Sequence, residues 1–235
     1  MSNRLLKWVA RKNIVKLVLI NILVGVFIIS IASCSLLYRE LAGSGNVISE
    51  DRDVEGFDKV ELAGIGNLII QQGNEEYLTI EAEDNLVSNI TTEVSGNKLT
   101  IGFERGIMLV PTKQLNYHLT VKDLNSISLS GAGVINCPDF NTDSLKVSIS
   151  GAGSTEIAGS VGKQDIVLSG AGSYIAKDFI SKECIVNIRG AGSATVNVTD
   201  SLNATITGVG SINYIGDPDV TFKRLGVGNI NNITE

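Results

Sequence analysis

Histidine occurs once, at His118, and cysteine three times, at Cys34, Cys137 and Cys184. One histidine excludes a histidine-rich metal site, and three cysteines exclude a disulfide scaffold. Aromatic residues make up only 5% of the chain, which argues against an aromatic stacking surface for sugars or bases. Basic residues are outnumbered, 19 to 25, giving a net charge of −6, so nucleic acid is not the expected partner. Proline is nearly missing, with three residues, while glycine reaches 25. The 43% of hydrophobic residues suffices for a core and excludes wholesale disorder, and 235 residues allow one solenoid or two small domains.

The first 33 residues contain Arg4, Lys7, Arg11, Lys12 and Lys16 and no acidic residue. An apolar run from Leu17 to Ala32 follows, interrupted by Asn21, Gly25 and Ser30. A basic start, an apolar stretch and small residues describe a secretory leader over residues 1–33. Ile31-Ala32-Ser33-Cys34 resembles the lipobox of bacterial lipoproteins, which implies lipid attachment at Cys34 and cleavage just before it. Ser35, a residue other than Asp, implies sorting to the outer membrane of a Gram-negative envelope. The competing reading is an uncleaved membrane anchor, for which the run is short of the roughly 20 residues a spanning helix needs. Without the leader, 14 basic and 25 acidic residues remain, a net charge of −11. Such a surface repels anionic lipid and nucleic acid, and it also keeps a domain soluble.

The body is repetitive. Gly-x-Gly triplets start at Gly43, Gly64, Gly131, Gly151, Gly170, Gly190, Gly208 and Gly226, the last six at spacings of 18 to 20. Four residues before each of these six stand Ile127, Val147, Ile166, Val186, Ala204 and Phe222; two before stand Leu129, Ile149, Leu168, Ile188, Ile206 and, as an exception, Arg224. Mostly polar residues lie between, so the period is two and the elements are strands. Each repeat reads as strand, glycine corner, strand, turn. One such unit cannot bury its apolar face alone, whereas stacked units can. The expected fold is therefore all-β, a right-handed parallel β-helix or solenoid with coils of roughly 18–20 residues, stacked about 4.8 Å apart. Six repeats would span on the order of 25–30 Å.

The structural glycines are Gly131 and Gly133, Gly151 and Gly153, Gly170 and Gly172, Gly190 and Gly192, Gly208 and Gly210, and Gly226 and Gly228. Glycine at such corners permits positive φ and close approach of successive coils. A phosphate cradle would need a third glycine, where Asn136, Glu156, Ile175, Thr195, Asn213 and Asn231 stand instead, and then a helix. Calcium-binding nonapeptide repeats would need an Asp in each turn at a shorter period. No cofactor and no metal site is expected.

Before the repeats the pattern is looser. Residues 34–53 read as a polar tether, 54–122 as an irregular N-terminal part of the solenoid, and 123–235 as its regular part. Between Gly64 and Gly131 there is room for about three coils lacking the glycine signature. Glu104–Asn116 breaks the pattern as a lateral loop.

Candidate chemistry is sparse. Cys137 falls in an inward column with Ile157, Ala176 and Val196, and Cys184 in another with Leu145 and Leu202, so both read as small apolar core residues, unbridged. His118 has no recognisable partner set for a triad or a metal. Pairs such as Lys163 and Asp165, Lys177 and Asp178, and Lys182 and Glu183 read as solvated turn charges, and no catalytic residue is assigned. Outward Ser, Thr and Asn columns read as structural ladders, or as binders of a glycan.

Cys34 after its lipobox, Phe57-Asp58-Lys59-Val60, the serial Ser-Gly-Ala-Gly-Ser coils, Ser211–Pro218 and the closing Gly226–Ile230 together resemble the bacterial head GIN domain family of proposed auto-transporter adhesins. The resemblance covers residues 54–235; Arg189 and Leu225 depart from the small polar residue before the glycines. It implies a right-handed β-helix-like fold and supplies no catalytic motif. The expected function is a cell-envelope lipoprotein, held to the membrane by its N-terminal lipid, that displays a rigid solenoid for adhesion, ligand binding or envelope structure without catalysis. The alternative is a carbohydrate-active lyase or hydrolase on the same scaffold. Expected partners are the membrane, a glycan or protein ligand, and a second copy stacked end to end through the terminal coil.

Overall fold

The computed structural model describes residues 39–234. The leader, 1–33, and Cys34 lie outside the described residues. In chain order the strands are β1 (Arg39–Ala42), β2 (Val47–Arg52), β3 (Lys59–Leu62), β4 (Ile65–Gln72), β5 (Tyr77–Glu83), β6 (Ile90–Ser95), β7 (Lys98–Phe103), β8 (Ile107–Val110), β9 (Asn116–Val121) and β10 (Ser126–Leu129). The long bent strands β11 (Ala132–Ile149), β12 (Ala152–Leu168), β13 (Ala171–Ile188) and β14 (Ala191–Ile206) follow, then β15 (Val209–Ile215), β16 (Asp219–Arg224) and β17 (Val227–Asn232). A single 3₁₀ turn, Val87–Asn89, is the one helical element among the described residues.

Two units separate. The smaller comprises residues 39–41 and 105–108 of the described chain, where the Arg39 N–H donates to the Gly106 carbonyl at 2.9 Å. The larger, residues 42–104 and 109–234, is a β-solenoid of about five turns. The all-β solenoid read from the repeat is therefore the fold. Its coils pair in parallel and in register: Gly133 with Gly153, Gly153 with Gly172, Gly192 with Gly210, and Gly210 with Gly228. Ile127, Val147, Ile166, Val186 and Ala204 are all buried, as are Leu129, Ile149, Leu168, Ile188 and Ile206. The alternation seen in sequence is thus the inside and outside of the coil wall.

The glycines are required mainly by distance. A Cβ on Gly151, Gly170, Gly190 or Gly208 would lie well inside contact distance of the carbonyl oxygen of the corner glycine one coil earlier. These four have no positive φ; of the corner glycines, only Gly66, Gly153 and Gly228 do. Close approach, more than left-handed backbone, explains the repeat.

The N-terminal half departs from the expected three extra coils. Gly64-Ile65-Gly66 belongs to the same corner column as the later triplets, because β3 and β4 pair directly with β10 and β11, Lys59 with Ser126 and Gly66 with Gly133. The chain between forms one further coil, β7 and β9, on the opposite side of β3 and β4. Spatial order is thus β7, β3, β10, whereas chain order is β3, β7, β10. The remaining residues reverse direction. Gly96 and Asn97 have φ of 56° and 62°, the left-handed pair of a tight hairpin, so β6 runs antiparallel to β7. β5 and β2 likewise add antiparallel strands beyond β9.

Of the stretch 34–53 expected as a tether, the described residues 39–53 carry two strands. β2 pairs antiparallel with β5 from Val47–Glu83 to Arg52–Leu78, and β1 forms a two-stranded sheet with β8. β2 is polar because it is a sheet edge, where Ser49 and Asp51 face water. The stretch 104–116, expected as a lateral loop, likewise contains β8.

Replacing Gly151 by Ala is expected to cost about 3 kcal/mol or more, since backbone must shift in two coils. Gly56→Ala, with φ of 75° and open space around it, is expected to cost only about 1 kcal/mol. Urea-unfolding midpoints of the two variants against the parent check this ordering.

Candidate functional site

The outward face after the glycine corner carries ladders of polar side chains. In register from coil to coil stand Ser154, Ser173, Ser193, Ser211 and Asn229. The Ser193 hydroxyl donates to that of Ser173 at 3.3 Å, and the Asn231 amide donates to the Asn213 carbonyl oxygen at 3.2 Å in the neighbouring column. At the other end of the same face the Asn67 amide donates to Asn116 at 3.2 Å. These contacts make the columns partly self-satisfied, while the outer lone pairs and N–H groups stay available to a ligand. A shallow groove of about 250 Å³ lies beside them, with Asn136, Glu156, Lys177 and Asp178 among its lining residues.

The sequence-assigned glycines form the edge from which these ladders start, and beside them Arg189, Val209, Leu225 and Val227 are exposed. Lys163 and Glu183 approach within 3.5 Å, and Lys177 and Asp178 within 3.7 Å, all well exposed. Ion pairs of this kind contribute little stability. His118 sits on β9 with its Nε2 3.4 Å from Glu81 Oε2. The Asn116 amide, with His118 behind it, holds the Glu81 carboxyl below the usual carboxylate range. Among the described residues no group of three or more His, Cys, Asp or Glu is placed to hold a metal ion.

The polar centres that sequence reasoning missed are structural hubs. Glu83 is buried and accepts bonds from the Thr112 hydroxyl at 2.6 Å, the Gly45 N–H at 2.6 Å, and the Thr112 and Lys113 N–H groups at 2.9 and 3.3 Å. The Thr112 hydroxyl, followed by these backbone donors, holds its carboxyl below the usual range. A Cβ on Gly43 would collide with that carboxylate, which accounts for a Gly-x-Gly triplet outside the corner column. Glu61 accepts from Lys98 at 2.5 Å and Ser130 at 2.6 Å, and these two bonds lower its pKa. It thereby ties β3 to β7 and to the corner residue that follows β10.

Inside the coils, the Tyr174 hydroxyl donates to Gln164 at 2.9 Å, the Gln164 amide to Ser181 at 2.7 Å, and the Ser181 hydroxyl to the Asn197 carbonyl at 2.9 Å. The available signal was Gln164 itself, a polar residue in the column of Leu145, Cys184 and Leu202. Cys137 and Cys184 are free, buried thiols in the columns assigned to them, and burial pushes both thiol pKa values up.

The profile of the family described as "Putative auto-transporter adhesin, head GIN domain" matches residues 56–218. A crystallised "putative adhesin" from Bacteroides fragilis is similar at 27% identity and a TM-score of 0.67, over 82% of this chain and 100% of that one. A "putative adhesin" from Parabacteroides merdae shares 20% identity (TM-score 0.48), over 83% of this chain and 99% of that one. A "putative lipid binding protein" from Parabacteroides distasonis shares 22% (TM-score 0.49), over 83% and 100%. No curated protein matches the chain.

Because the folded-state pKa of Glu83 lies below its ordinary value of 4.5, its contribution is present above that value and lost as pH falls through the folded one. Thermal unfolding followed from pH 7 to pH 3 is expected to show a falling midpoint below about pH 4.5, with a shallower fall in Glu83→Gln, which starts lower at pH 7. Cys137 and Cys184 are expected to resist a thiol reagent in the native protein and to react once urea unfolds it.

Proposed function

We propose, from the premise that the chain belongs to the head GIN domain family, that it is a bacterial envelope lipoprotein whose solenoid wall binds a repeating polar ligand without turning it over. The family and the Bacteroides fragilis relative favour an adhesin-like protein of the bacterial surface or envelope. The finer reading places a lipid on Cys34 and the chain at the outer membrane, after cleavage of the leader.

The observation that carries the binding reading is the constant register of Ser154, Ser173, Ser193, Ser211 and Asn229 along one outer face. Neighbouring coils repeat at the strand spacing of about 4.8 Å. A ligand with hydroxyls or amides at a regular interval can meet several coils at once, so weak single contacts add through a shared framework. A polysaccharide strand has such groups. The acidic surface favours a neutral or cationic ligand over an acidic one.

In cells fed labelled palmitate, the parent chain is expected to take up label and Cys34→Ala to lose it; equal labelling of both would overturn the lipid assignment. Protease added to intact cells is expected to remove the solenoid epitope if it faces outward. Binding of the full chain in detergent to a neutral-glycan array, without new reducing ends or unsaturated products, supports a binding protein. Replacing Ser173 and Ser193 by Lys is expected to weaken that binding about tenfold. Product formation at any glycan would replace this reading with a carbohydrate-active enzyme.

A further inference from the structure

The two ends of the solenoid are finished differently. At one end the antiparallel strands β2 and β6 close the stack, and exposed Asp51 and Glu93 and half-buried Glu50 stand among their exposed apolar residues Val47, Ile48 and Val94. Charges on an outermost strand discourage pairing with another molecule. At the other end stands β17, whose sequence Val227-Gly228-Asn229-Ile230-Asn231-Asn232 has neither charge nor proline.

At this end the core columns reach solvent. Phe222 continues the column of Ala204, which is fully buried, yet is itself 66% exposed. Tyr214, Val220, Phe222, Arg224 and Ile230 line a groove of about 300 Å³ there. Val227 and Ile233 direct their N–H groups back to the Gly208 and Tyr214 carbonyls. By the alternation of an extended strand, Gly228, Ile230 and Asn232 aim their N–H and C=O groups away from β15.

We propose that this edge docks a second copy of the chain, β17 pairing antiparallel with β17 of the partner subunit about a twofold axis through Ile230. That register sets Gly228 against the partner's Asn232, Asn229 against the partner's Asn231, and Ile230 against the partner's Ile230. The backbone groups left outward by β15 are the ones this register uses. An antiparallel twofold contact closes on itself, whereas parallel addition of coils would continue into a fibre.

Charge selects a second copy over a charged partner. Residues 39–234 carry 14 basic and 24 acidic side chains, so two copies repel over most of their surface. Residues 217–235 carry Asp217, Asp219, Glu235, Lys223 and Arg224, one net negative charge, and none of these lies on β17. Copies meeting strand to strand through β17 therefore bring no charged side chain of that strand into contact while covering Phe222 and Ile230. The proposal is independent of ligand binding by the outer wall.

In cells expressing the full chain, Ile230→Cys under mild oxidation is expected to give a disulfide-linked species of twice the chain mass. Cα atoms of a hydrogen-bonded antiparallel pair stand about 5.5 Å apart, within disulfide reach. Thr221→Cys, on the other face of the terminal coil, and the parent chain are expected to stay unlinked. Asn231→Cys, at an exposed position, is expected to link through a short bismaleimide, which keeps the test valid if Ile230→Cys misfolds. Adding both Asn229→Lys and Asn231→Lys to Ile230→Cys is expected to cut linking about tenfold, because like charges then face each other. Absence of linked dimer from both cysteine variants while their thiols take up maleimide overturns the proposal. So does linking that the lysines leave unchanged.

Discussion

The structure rests on how closely one coil's corner can lie on the next. A backbone carbonyl of each corner occupies the space where a side chain of the following corner would begin. Glycine there is a demand of distance, and it holds the wall strands at hydrogen-bonding separation on both sides of the bend. Once the corners are set, the apolar columns fall into line and the interior fills with Ile, Val, Leu and Ala. Among the largest fully buried side chains are Tyr117, Phe140, Tyr174 and Phe179.

Polar groups then fix what apolar columns leave free. A stack of similar coils could slip by one layer with little loss of hydrophobic burial. The Tyr174–Gln164–Ser181 chain bonds residues of successive coils and would be broken by such a slip. A half-satisfied buried network costs more than an apolar one, so register is enforced by penalty as much as by attraction. Glu61, beside the first corner, and Glu83, where the repeat is absent, do comparable work, tying together strands and turns that sequence distance would leave unrelated.

The regular half was legible because each coil repeats the same constraint, so the column of Gly131, Gly151, Gly170, Gly190, Gly208 and Gly226 could be read by spacing alone. Gly64 shared the triplet, but its place beside Gly131 was hidden, since spacing assumes that neighbours in the stack are neighbours in the chain. The antiparallel strands were legible only as turns: Ser95-Gly96-Asn97 marked a reversal without saying where the returning strand would lie. The stretch 34–53 reads as a tether in sequence because an edge strand such as β2 shows the same polar letters. Of the outer wall, the small-residue columns were visible in sequence, whereas the anchoring of Glu83 depends on four donors brought in from separate turns and has no local signature.

The out-of-order coil bears on how the molecule carries load. If tension enters from the N-terminal side, it reaches β3 soon after β2, and β3 lies between β7 and β10 rather than at a free end. An end coil can be peeled one hydrogen bond at a time, but a strand flanked on both sides must shear against two ladders together. A pull from the N-terminal side would strip the edge strand β2 first and then meet β3, which is held by hydrogen bonds on both of its sides.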